Sequence, residues 1–189
     1  MKRFALLAAL GLFLAAAPAS AQLAVYGGGG SAIPTGDDLD ALDVEAGLQL
    51  LGGFTYDLSE RVSVYGEGQW GTHDLENSDI TANPSALMGG LLVGLAGSDD
   101  APISPYLFAG AGLQSLSLER DIGDVDDRTF GYQAGAGIGF DLGPLPTFLE
   151  GRYQAASFDP GVFGEDIPLE DFSIFSIILG FSFELGGDN

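Results

Sequence analysis

The residues best equipped for chemistry are few and closely spaced. Glu150, Arg152 and Gln154 alternate in "FLEGRYQ", and Tyr65, Glu67 and Gln69 alternate in "YGEGQW". Residues two apart on an extended chain share a face, so each trio projects from one side of its strand. Two carboxylates and a guanidinium can do two things. Along a solute path they would relay protons or select ions. Turned toward each other away from water they would form a hydrogen-bonded ionic lock, because a buried charge is costly unless paired. The lock is the stronger reading: Glu67, Gln69, Glu150, Arg152 and Gln154 are expected to form a structural polar network together with Tyr65.

His73 is the only histidine and is followed by Asp74, Glu76 and Ser78. A base beside a hydroxyl and a carboxylate is the raw material of nucleophilic catalysis. Here it opens a polar stretch with no motif to hold the partners, so an ordinary exposed loop histidine is expected and no catalytic residue is assigned. "DIGDVDD" (121–127) offers hard oxygen ligands for calcium or magnesium. It lacks the acid alternation and the glycine position of an EF-hand loop, so no metal site and no cofactor are assigned.

Charge bounds the partners. The chain carries 27 acidic against six basic residues, a net charge of −21. Such a surface repels nucleic acid and attracts divalent cations or basic ligands loosely. Cysteine is absent, so no disulfide framework contributes. With 46% hydrophobic and 11% aromatic residues the chain is built to fold rather than to stay disordered.

The elements that must position these residues begin after a leader. In "MKRFALLAALGLFLAAAPASAQ" two basic residues precede an apolar run and a small-residue "ASA" site. This pattern predicts a secretory signal peptide over 1–21 and one exported domain over 22–189. Eight alternating segments follow, near 22–33, 45–56, 61–72, 85–97, 104–118, 129–142, 147–158 and 171–184. Short connections ("DLSE", "SDDAPI", "GPLP") alternate with long acidic ones ("PTGDDLDALDV", "HDLENSDITANP", "ERDIGDVDDR", "DPGVFGEDIPLE"). Eight strands with short turns at one end and long loops at the other predict an all-β, eight-stranded antiparallel up-and-down transmembrane barrel.

The faces decide between a soluble and a membrane barrel. In "FGYQAGAGIGFDLG" one face carries Phe130, Tyr132, Ala134, Ala136, Ile138 and Phe140, and the other carries glycines with Gln133 and Asp141. A water-facing side made of glycine makes little sense, whereas glycine facing a narrow lumen makes room. Ten residues rise about 33 Å, or about 25 Å at a barrel tilt, which matches an apolar band. Lipid-facing aromatic rims are therefore assigned to Phe54, Tyr56, Phe130, Tyr132, Phe140, Phe175, Phe181 and Phe183. Small or polar residues, Gln49 and Gln114 among them, are expected inside, with Leu51 and Ile178 as exceptions; the "YGGGG" strand offers no clear faces.

"SPYLFAGAGLQ", "FGYQAGAGIGFDL" and "FLEGRYQ" resemble the strand motifs of small outer-membrane barrels of the opacity, OmpA and OmpX type. The resemblance implies residence in a bacterial outer membrane, contact with its lipids and lipopolysaccharide, and insertion by the barrel assembly machinery. Members typically end on an aromatic residue, whereas this chain runs past Phe183 with "ELGGDN". The function expected is a structural or surface-interaction role with acidic external loops and a side-chain-filled lumen, without catalysis. A narrow pore for ions or small solutes is the alternative, and a lipid A-modifying enzyme a distant third.

Overall fold

The computed structural model describes residues 23–35, 44–74, 81–95, 102–119, 125–158 and 171–185. They form β1 (Leu23–Pro34), β2 (Gly47–Ser59), β3 (Val62–Asp74), β4 (Thr81–Gly94), β5 (Ser104–Glu119), β6 (Val125–Leu142), β7 (Leu145–Ser157) and β8 (Asp171–Leu185). Each strand pairs antiparallel with the next, and β8 returns to β1 to close the barrel. The closing seam runs from Leu23 opposite Leu185 to Pro34 opposite Ile174. Closure leaves no edge strand. The predicted architecture is the observed one.

Alternation sets the two faces, and the apolar one points outward. Phe130 and Tyr132 are 69% and 58% exposed, while the next residue, Gln133, is 2% exposed. The same holds on β2, where Leu48, Leu50 and Phe54 are exposed and Gln49 and Leu51 are buried. Phe175, Phe181 and Phe183 are likewise exposed. Tyr56 and Phe140 are only half-exposed. Some outer rings lie back on glycine: Phe54 covers Gly66, directly opposite it across the β2–β3 ladder, so closely that an added Cβ would sit 2.9 Å from the ring.

Several boundaries differ from the sequence reading, three of them for a visible reason. β4 begins at Thr81, inside the stretch "HDLENSDITANP" expected as a connection. The β3–β4 pairing is interrupted, without a change of register, between Trp70–Ser85 and His73–Ala82, and the proline, which has no N–H to give, falls in that gap while staying paired with Leu116 of β5. β6 begins at Val125, so Asp126 and Asp127, expected in the third loop, join the ladder opposite Ser117 and Leu116. β7 begins at Leu145, because Gly143 takes a positive φ of 65° and closes a two-residue turn with Pro144.

Candidate functional site: the barrel lumen

The interior is layered along the barrel axis. At mid-height β3 supplies Glu67 and β7 supplies Glu150 and Arg152, all three buried. Strands four apart in a ring of eight face each other, and Arg152 Nη1 donates to Glu67 Oε1 across the lumen at 2.8 Å. Arg152 Nε donates to Glu150 Oε1 at 2.9 Å, and its Nη2 also reaches that oxygen. The guanidinium lies 5.1 Å above the Phe108 ring. Tyr26 donates its hydroxyl proton to Glu67 Oε2 at 2.9 Å, and Tyr106 donates to Glu150 Oε2 at 3.0 Å.

A glutamine layer lies next to this triad, on the side of the long connections. Gln69 Nε2 donates to Glu67 and to Gln133, both at 2.7 Å. Gln133 Nε2 donates to Tyr65 at 2.8 Å. Gln49 Nε2 donates to Gln69 and Gln154, at 3.0 and 2.9 Å. Strands β2, β3, β6 and β7 are thereby linked through side chains alone, with carboxylates accepting and amides relaying. Beyond the glutamines an apolar cap of Leu116, Phe172, Ile174 and Phe158 fills the far end, with Phe158 and Phe172 edge to face at 5.6 Å. A cavity of about 20 Å³ remains among Gln49, Gln114, His73 and their neighbours. Around it Gln49 Oε1, Gln114 Nε2 and His73 Nε2 are buried without a protein partner.

All five residues assigned to the polar network thus come together. Missing from that assignment are Gln49, Gln133, Tyr26 and Tyr106. The parity of Gly110, Gly112 and Gln114 along β5 extends to Tyr106 and Phe108, so that signal was available. Tyr26 precedes four glycines, and only the pairing of β1 with β8, which sets Tyr26 beside Ser182, fixes its face.

The lumen departs from expectation at the short-turn end. It is not filled there: a cavity of about 420 Å³ reaches from the triad to rim residues such as Asp57, Asp141 and Glu184. Small inward residues, Ala24, Thr55, Ser104, Gly139 and Ser182, leave this space. Aromatic rings share its walls with these small residues and with acidic ones, because inward glycines seat the rings. A Cβ on Gly180 would overlap Phe148, one on Gly137 would overlap Tyr106, and one on Gly135 would lie 2.5 Å from Phe108. Leu51 and Ile178, the inward exceptions on their strands, form an apolar cluster with Phe148.

A family model described as an outer membrane protein beta-barrel domain matches residues 4–183. The chain belongs to this family. Among solved structures it is similar to Neisserial surface protein A (TM-score 0.69, 12% identity, 88% of this chain and 99% of that one). It is also similar to a major outer membrane protein from Thermus thermophilus (0.54, 14%, 88% and 100%). The N-terminal barrel domain of Pseudomonas aeruginosa OprF matches at 0.51, with 13% identity over 87% and 100%. No curated protein sequence matches significantly. At these identities the likeness is one of fold, and family and fold together make this an outer-membrane barrel.

His73 corrects the sequence reading of this outer-membrane barrel. Expected as an exposed loop residue, it is inward-facing on β3 and 2% exposed. Its Nδ1 lies 3.0 Å from the Glu45 carbonyl oxygen. Asp74 accepts from Thr81 at 3.2 Å; Glu76 and Ser78 lie outside the described residues. Among the described residues no three acidic, histidine or cysteine side chains converge as metal ligands.

Proposed function

We propose that this outer-membrane barrel has a structural or surface-contacting role rather than a catalytic one, and that its lumen network is a plug. The observation that carries this reading is the bond from Arg152 across the lumen to Glu67, backed by the glutamine layer. In this arrangement the exposed ribbons, with Phe54, Tyr56, Phe130, Tyr132, Phe140, Phe175, Phe181 and Phe183 at their rims, face lipid and lipopolysaccharide. Residues 1–21 serve as the export signal, and the barrel assembly machinery inserts the mature chain. The short turns face the periplasm. The acidic long connections face outward, where they attract divalent cations or basic ligands by charge; function in such folds resides in these segments rather than in the barrel.

Purified protein in planar bilayers tests the plug. No reproducible conductance steps are expected even at high protein load, and regular open steps would replace the plug with the pore reading. Lipid A mass spectra from cells with and without the protein are expected to match; a change abolished by His73→Ala would establish an enzyme.

A further inference from the structure

We propose that the cavity at the short-turn end of the lumen is a binding site for a small organic cation carrying an alkylammonium group. Its shape comes first. At about 420 Å³ it falls within the size range of small-molecule sites. The triad and glutamine layer separate it from the small cavity beyond, so it is a blind vestibule rather than a segment of a channel. Exposure falls along its length: Asp141, Pro146 and Glu184 at the mouth are exposed, Asp57 is intermediate, and Glu67, Glu150 and Arg152 at the floor are buried.

The lining selects the ligand's charge and character. Five carboxylates, Asp57, Glu67, Asp141, Glu150 and Glu184, line it against one guanidinium, that of Arg152. The floor sets two carboxylates beside one guanidinium and the other three carboxylates stand toward the mouth, so acids outnumber the cation along the length of the cavity. A low-dielectric pocket of one sign concentrates ions of the other. An inorganic ion would be served by the carboxylates alone, yet Tyr26, Tyr65, Tyr106, Phe108 and Phe148 also line the cavity. Tyr26 and Phe148 stand edge to face at 6.0 Å, as do Tyr65 and Phe108 at 6.1 Å. Aromatic faces with nearby carboxylates attract weakly hydrated organic cations, and Arg152 over Phe108 is the same interaction made internally. The site does not depend on the orientation of the barrel; that the periplasm supplies the ligand rests on the reading given above.

Choline provides the probe, and 3,3-dimethyl-1-butanol is its uncharged counterpart of the same shape. The folded full-length mature chain is titrated in maltoside micelles, free of choline-headed detergent, while the side-chain resonances of Tyr26, Tyr106 and Phe148 are followed by NMR. Saturable shifts with choline and none with the alcohol are expected. The exposed-rim double variant Asp141→Asn/Glu184→Gln should weaken choline binding roughly tenfold. Phe148→Leu, which leaves every charge in place, should weaken it as well. Equal response to the alcohol overturns the proposal. So does choline binding that both the rim variant and Phe148→Leu leave unchanged, which would assign the attraction to acids outside the cavity. Loss of this site would leave the plug intact, whereas conductance steps would remove the plug without touching choline binding.

Discussion

Arg152 holds the interior together through charge balance. Among the described residues it is the cation on which Glu67 and Glu150 both converge. Removing one partner of a buried ionic set leaves the others uncompensated, at a cost of about 3–5 kcal/mol. Arg152→Ala should therefore lower the unfolding midpoint in urea sharply, while Arg61→Ala, at an exposed turn, should change stability by no more than about 0.5 kcal/mol. Equal effects would remove the lumen network from the account of stability. Glu150→Gln should be milder than Arg152→Ala, since it keeps the side chain's shape and an acceptor for Tyr106. How far the residues announced themselves follows from the same logic. The meeting of Glu67 and Arg152 follows from strand count and height, quantities a sequence contains. The burial of His73 does not, because it depends on β3 continuing past the point where composition turns polar.

At the scale of the strand, glycine and aromatic ring are a matched pair. Inward glycines on β6 and β8 provide the space that Tyr106, Phe108 and Phe148 occupy. Gly180→Ala should overpack the lumen and cost about 1–3 kcal/mol, whereas outward Gly52→Ala, whose added carbon would lie 3.7 Å from the nearest atom, should be tolerated. Urea unfolding of the two variants in micelles separates them, and equal loss would contradict the packing described. Alternation made the eight strands and their outward faces readable, since a period of two is a local signal. The starts of β4 and β6 were not readable. Pro84 and the acid pair Asp126–Asp127 look like loop residues by type, and the neighbouring strands decide that they belong to the ladder.

For the whole molecule, closure is the property to measure. A sealed ring in which each strand lies between two others resists detergent until heat opens it, so unboiled protein should migrate differently from boiled protein on gels. Identical mobility would speak against a closed barrel. The match to outer-membrane barrels extends over most of the chain at 12% identity, which fits a fold specified by alternation, turn chemistry and interior volume more than by particular residues. The open vestibule escaped the sequence reading for a related reason. A lumen's filling is a sum over eight strands, and no single strand discloses that the small residues of several of them meet at one end.

The seam between β1 and β8 carries one further consequence. Leu23 and Leu185 stand opposite each other at the same rim, so a brief glycine-serine tether could splice the two ends, and the polypeptide could be reopened between β4 and β5. Such a circularly permuted gene should still yield the same ring, with its start and finish relocated to a different hairpin.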